Sequence, residues 1–364
     1  MENILVPTLL SAFVLFNVLN LAAFHTWLER KQSAVIQDRV GANRAKIFGV
    51  SLFGLFHPIA DTIKMFMKED YVPKHADKFL HTLAPYLSVF FALVGFAAIP
   101  FGNTIEIAGR QINLQVANLN VALLYVFAMM SMGVYGVVLA GFSSDNNYSF
   151  IGGLRASSQM ISYEIALGLT ILGLVLSYGT LDLQEIVKVQ GNHFSWQPFS
   201  WLPKWGIFIQ PLGFLLFLAA GLAETKRAPY DAPEGESEIV GYFVEYSGMK
   251  FGMFFFADYL ETIMIACLTT TLFFAGWQVP WLLSDGFHFP WGVSLLLSPL
   301  LVSLLQMVSF GLKVFFFCLV FMTIRWTLPR FRYDQLMNLG WKIIFPLALL
   351  NLFVTSIVAL ILQG

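Results

Sequence analysis

Eight long apolar stretches alternate with polar connections along the chain, at about 4–28, 80–100, 119–142, 157–179, 206–225, 249–275, 295–324 and 341–362. A helix needs roughly 20 apolar residues to cross the hydrocarbon layer of a bilayer, so each stretch predicts a span. Trp27, Trp205, Trp277, Trp326 and Trp341 stand near the ends of these stretches, where aromatic rings anchor at the interface. Between the first two, "FGVSLFGLFHPIADTIKMFMKED" sets Leu52, Phe56, Ile59, Ile63 and Phe66 at helical spacing, with Asp61, Lys64 and Lys68 off that stripe. The pattern predicts an amphipathic helix on the membrane surface, bent at Pro58. A simple interfacial anchor and the wall of an apolar slot fit it equally. The expected fold is all-α: a polytopic integral membrane protein of about eight transmembrane helices with an amphipathic surface helix after the first span, forming one membrane domain over 1–364.

Composition narrows the class. The chain has 364 residues, 57% hydrophobic and 12% charged, against about 25% charged in soluble domains. A net charge of −1 and the lack of a long basic tract argue against a nucleic-acid partner. Cys267 and Cys318 both lie in apolar runs. Two thiols cannot complete a four-cysteine iron–sulfur or zinc site, and their positions suggest no disulfide framework. The first apolar run lacks a basic leader and a small-residue cleavage site, so it is expected to be a retained span.

Charge then orients the chain. Of 21 Lys and Arg, 17 lie in or beside the odd-numbered connections and 3 in the even-numbered ones. The positive-inside rule places the odd connections in the cytoplasm and both termini outside.

Ionisable residues inside apolar stretches are the informative ones, since each costs roughly 2.5–3.5 kcal/mol at a helix centre. Glu164 lies in the fourth stretch, Asp258 and Glu261 in the sixth at i, i+3 on one face, and Lys313 in the seventh. Counted along the helices, all four are expected to enter from the cytoplasmic side. Static pairing of Lys313 with Glu261 or Asp258 would explain part of the set. It leaves over Glu164, and also the mouth of the fifth stretch, where "AETKRAPYDAPEGESEIV" gathers Glu224, Asp231, Glu234, Glu236 and Glu238 against only Lys226 and Arg227. Burial and like-charge crowding raise carboxyl pKa values, as a proton relay needs. A solvated acidic loop is the plainer alternative. Below the first span, "ERKQSAVIQDRVGANR" interleaves Glu29, Gln37 and Asp38 with Arg30, Lys31, Arg39 and Arg44, which suggests a polar chamber. Phe56, Met65 and Phe66 of the surface helix would line its apolar approach. A polar headgroup with an apolar tail fits such a site.

These segments, with "PIADTIKMFMKED", "GGLRASSQMISYEIALGL", "VEYSGMKFGMFFFADY" and "RWTLPRFRYDQLMNLGWK", closely resemble the membrane H-subunit of bacterial NADH-quinone oxidoreductase and its mitochondrial equivalent, chain 1 of complex I. The resemblance covers Glu29 to Lys342. It implies an eight-span heel subunit in the bacterial inner membrane, forming most of the quinone tunnel and the acidic start of the proton-coupling path. Carried over by motif, Arg30, Arg39, Asp61 and Phe66 would belong to the quinone tunnel, with Glu29 beside them. Glu29, Glu164, Glu224, Glu234, Glu236, Glu238, Glu245 and Asp258 would form the acidic set that Glu261 joins. Arg325, Arg330, Arg332 and Asp334 match a cytoplasmic motif near partner subunits. The implied partners are other membrane-arm subunits, the peripheral arm, quinone and lipid. With no dinucleotide fingerprint or haem motif in the chain, flavin and iron–sulfur chemistry is expected on those partners.

The chain departs from the family pattern at Ala42 for proline, His57 for glutamine, Lys226 for asparagine and Asp258 for glutamate, and its link from Glu238 to Glu245 is one residue short. A membrane subunit of an energy-converting hydrogenase shares the eight-helix plan and is the alternative. A stand-alone proton-coupled transporter would call for broken helices in symmetric halves, which the sequence does not display.

Overall fold

The computed structural model describes residues 2–107, 110–193, 202–235, 239–283, 285–288, 292 and 294–363. Helix α1 (Glu2–Ile36) continues two turns past its apolar stretch, so that Glu29 and Arg30 are helical. α2 (His57–Met67) is the surface helix. It starts at His57 and carries Pro58 in its first turn, where the missing N–H leaves no bond unmade, so the expected bend is absent. α3 (Lys78–Val94) is opened by Asp77, whose carboxylate accepts the N–H groups of Phe79 and Leu80. A hairpin of β1 (Thr104–Ile107) and β2 (Arg110–Asn113) precedes α4 (Ala122–Ser143) and α5 (Asn147–Tyr178). α5 starts ten residues earlier than the apolar pattern indicates, which moves Glu164 to mid-helix. α6 (Leu183–Gln190) lies in the next connection.

The fifth apolar stretch is split between α7 (Gly206–Ile209) and α8 (Pro211–Glu224). Gln210 takes a non-helical conformation at the break. Its side chain donates to Thr355 Oγ1 at 2.8 Å and accepts from Asn351 Nδ2 at 3.3 Å, covering the interruption with polar groups from the last helix. α9 (Gly248–Phe273) follows, then a small antiparallel sheet of β3 (Leu282–Leu283), β4 (Gly286–His288) and β5 (Ser294–Leu296). α10 (Pro299–Thr327), α11 (Tyr333–Leu339), a π-helical turn and α12 (Phe345–Gln363) complete the chain. Among the described residues seven helices are long and apolar enough to span a membrane, and α8 is a shorter apolar helix. The strands are the departure from an all-α fold, and both sheets sit in even-numbered connections.

α9 is the most enclosed span. It packs against α1, α2, α3, α8 and α10, while α5 packs on α4, α8 and α12. α4 and α5 cross at Gly141 and Gly153, where a Cβ on Gly141 would come within 2.8 Å of Ser149 O and 3.3 Å of Gly153 Cα. Close approach at small residues is how membrane helices gain dispersion contact.

The sequence left the partner of Lys313 open. The lysine pairs with neither Asp258 nor Glu261. Its Nζ donates to the carbonyls of Phe274, Gly276 and Gln278 at 2.9, 2.9 and 2.7 Å, and it lies over the Trp205 ring. It therefore ties down the turn that follows α9, satisfying carbonyls that have left the helix, at the end where the helix dipole favours a cation. From Glu261 to Phe274 is 13 residues, about 20 Å along the helix. Lys313 and the acids thus occupy opposite halves of α9. Replacing Lys313 by Met should lower stability by about 1–3 kcal/mol through the orphaned carbonyls. Thermal inactivation of the assembled complex is the measurement, and an unchanged midpoint would reject that role.

Candidate functional site: a polar cavity joined to a buried acid series

The end of α1, the surface helix α2, the first half of α9 and the end of α10 enclose a cavity of about 380 Å³. α2 can seat this closely because α9 has Gly252 at the contact, where a Cβ would run into Met65 Sδ. One wall is apolar, from Met65, Phe255, Phe256 and Trp326. The other is polar. Asp61 turns inward and holds Arg30 at 2.6 Å and Lys64 at 2.6 Å. Arg39 stands at the rim, its Nε donating to Gln37 Oε1 at 2.6 Å. His57 accepts the Ala45 N–H at 3.4 Å and ties α2 to the preceding loop.

At the back of the cavity Glu29 is buried and triply engaged. Tyr259 Oη donates to Oε2 at 2.6 Å, Arg227 approaches the same oxygen at 3.3 Å, and Arg325 pairs with Oε1 at 2.5 Å. The Arg227 guanidinium also lies 3.8 Å from the centre of the Tyr259 ring, a cation–π contact in a desolvated site. Burial by itself favours a neutral arginine; Tyr259, Glu29 and Asp258 outweigh it and hold the Arg227 pKa above its ordinary value. Arg227 is thus shared between the cavity wall and the acids of α9.

Its neighbour Lys226 continues the series. The buried Nζ lies 3.3 Å from Asp258 Oδ1 and 3.2 Å from Glu261 Oε2. Burial opposes the charge, but Glu261, Tyr242 and Asp258 more than offset it, so the Lys226 pKa lies well above the usual lysine range. Glu224, the last residue of α8, is buried beneath them, and neither of its oxygens accepts a hydrogen bond among the described residues. The charges acting on it are those of Glu164, Glu261 and Lys226. Glu164 in turn accepts from Ser131 Oγ of α4. A narrow gap lined by Met129, Met130, Met160 and Met264 separates Glu224 from Glu261.

The loop after α8 adds two groups. Burial and the charges of Asp258 and Asp231 raise the Glu234 pKa well above the carboxylate range. Asp231 is pushed up to about 6 by burial, with Arg330 and Arg325 pulling the other way. Arg330 also donates to the Asp231 carbonyl.

The expected residues therefore divide. Glu29, Arg30, Arg39 and Asp61 come together around one cavity. Glu164, Glu224, Glu234, Asp258 and Glu261 form an adjoining series. Glu245 is bound by Asn146 Nδ2 at 2.7 Å. Phe66 is 66% exposed on the outer face of α2, with Ile59 and Ile63, and lines no part of the cavity. Glu236 and Glu238 lie outside the described residues. Arg332 and Asp334 pair with each other on the surface, whereas Arg325 belongs to the cavity. Sequence reasoning missed Lys226, Arg227 and Tyr259 as site residues. Their signal was the adjacent Lys-Arg pair opposing five acids. Among the described residues no three His, Cys, Asp or Glu side chains are grouped as metal ligands.

Asp231 gives a pH test. Its pKa in the folded protein exceeds its ordinary 3.8, so the folded state holds an extra proton from there to about pH 6. The loop should lose stability as pH rises through this window, and Asp231→Asn should flatten that dependence. The rate of protease cleavage after α8 in the assembled complex, measured against pH, checks it; identical slopes in parent and variant would refute it.

Comparison with known proteins adds the family. The NADH dehydrogenase family model matches residues 9–356. The NADH-quinone oxidoreductase H-subunit 1 of Cytophaga hutchinsonii is 43% identical, with 98% of this chain and 97% of the relative covered. The H-subunit of Thermomicrobium roseum is 46% identical over 98% and 97%, and that of Protochlamydia amoebophila 46% over 93% of each. Seven long apolar helices, the acid series on α8 and α9, and this similarity over nearly the whole length lead to one conclusion: the chain is a multi-pass membrane protein belonging to the H-subunit family of NADH-quinone oxidoreductase.

Proposed function

We propose that this chain is the heel subunit of a proton-translocating NADH:quinone oxidoreductase in a bacterial inner membrane, that its cavity holds the quinone headgroup, and that its acids begin the proton-coupling path. The observation carrying this reading is the Glu29–Arg227 contact at 3.3 Å, which joins the cavity wall to the Lys226, Asp258 and Glu261 group. The cavity's two faces suit an amphiphile, with arginines and Asp61 for a polar ring and Met65 and Phe255 for an apolar tail. Redox centres and NADH oxidation would belong to partner subunits of the peripheral arm, with further membrane-arm subunits taking protons onward. The charge asymmetry of the connections supports a cavity on the cytoplasmic side and both termini on the periplasmic side.

The coupling follows from electrostatics. Reduction of a quinone makes it transiently anionic, and a negative charge in a poorly hydrated cavity is felt over several ångströms. Arg325 lines the cavity and shares Glu29 with Arg227, so these two arginines carry the effect of that charge inward. Drawn toward the quinone, Arg227 would neutralise Glu234 less, and the affinity of Glu234 for protons would rise. A proton taken up from the loop then passes to Glu224 and Glu164.

Glu224→Gln should leave assembly intact and reduce coupled quinone reduction on the order of 10-fold. Protons pumped per electron in reconstituted vesicles, with a tunnel inhibitor as control, is the measurement. Full pumping stoichiometry in the variant would remove Glu224 from the path.

A further inference from the structure

Lys226 occupies an unusual place for a lysine. It stands two residues beyond the end of α8 with φ +54, in the left-handed region. Just past a helix end that conformation is normally supplied by Gly or Asn, because other side chains crowd the backbone there. This chain accepts the strain and turns the side chain inward until it is 1% exposed. The i, i+3 spacing of Asp258 and Glu261 points both carboxylates at the same Nζ, which lies 3.2–3.4 Å from the two oxygens of Glu261 and 3.3 Å from Asp258. From the following loop Glu234 and the Tyr242 phenol also face the ammonium. Glu224 faces it from the end of α8. Arg227, the other cation here, is taken up by Glu29 and the Tyr259 ring.

The acid series is therefore divided. Asp258 and Glu261 share a buried cation; Glu224, across the methionine-lined gap, has no hydrogen-bond donor among the described residues. We infer that Lys226 is a tethered counter-ion that pins Asp258 and Glu261 in their ionised form and leaves Glu224 and Glu234 as the groups that exchange protons. The physical ground is local charge balance. Two carboxylates side by side in a buried site cannot both stay ionised without cations; the ammonium held between them is the one in direct contact, and Arg227, which shares Glu29 with Arg325, adds its field to both. Lys226 acts as a positioning residue, deciding through its charge which neighbours carry protons. The inference rests on the proposed reading of the acids as a proton path.

The test is redox-induced infrared difference spectroscopy on the assembled complex, with NADH as donor and a short-chain quinone as acceptor. A carboxylic-acid C=O band that changes on quinone reduction should disappear in Glu224→Gln or Glu234→Gln and persist in Asp258→Asn. Loss of that band in Asp258→Asn or Glu261→Gln, with Glu224→Gln and Glu234→Gln unaltered, would overturn the pinning role. If no carboxyl band responds in the parent complex, the proton-path reading itself fails and the inference fails with it, which separates the two. Lys226→Asn, whose side chain suits the left-handed backbone, should gain one static protonated-carboxyl band at neutral pH, and Lys226→Asn/Glu261→Gln should lose it. A spectrum of Lys226→Asn identical to the parent would also overturn the inference. The Glu224, Glu234 and Asp258 variants keep Lys226, so that arm stands even where Lys226→Asn does not assemble.

Discussion

Carboxylates buried between membrane helices are tolerable only with cations delivered to the same depth, and the arrangement around α9 depends on that constraint. An ionised side chain at a helix centre costs roughly 2.5–3.5 kcal/mol, and α9 with its neighbours buries Glu29, Asp258 and Glu261. Lys226 and Arg227 arrive from the turn after α8, and Arg325 from the end of α10. Each brings its charge from a helix end. The pairing in turn draws the ends of α1, α8, α9 and α10 together on one side of the protein. The cavity is the space left among those ends once α2 closes over them.

The opposite end of α9 solves the complementary problem. There the chain turns inside the protein, and Lys313 supplies three hydrogen bonds to the carbonyls of that turn. α9 is thereby held by a cation at one end of its length and, through its acids, in the other half. A helix anchored in both halves and packed on several sides is a rigid carrier for groups whose spacing matters. The break at Gln210 leaves α8 shorter than a full span, and the residues that follow it, Thr225, Lys226 and Arg227, are buried in the bundle.

The departures from the family pattern have different structural weight. His57 keeps a bond to the Ala45 amide, one that a glutamine side chain can also accept. Lys226 and Asp258 stand in direct contact. The shorter carboxylate and the added ammonium are two halves of one interaction. Nothing in the structure explains Ala42 in place of proline.

Much of the architecture was legible in the sequence because hydrophobic length and periodicity are local properties. Apolar runs located the spans, i, i+3 spacing placed Asp258 and Glu261 on one face, and the charge asymmetry grouped the connections whose ends meet at the cavity. Helix ends were less legible, since α1 and α5 continue through polar residues that neighbouring helices shield. The pairing of charges was decided only by the tertiary structure. Glu29 meets Arg227 across 198 residues, and Lys226 rather than Lys313 meets the acids of α9, because partner choice depends on which helix ends lie side by side. No periodicity records that. The outward face of Phe66 follows the same logic: amphipathicity defines a stripe, and the seating of Met65 against Gly252 decides which way the stripe points.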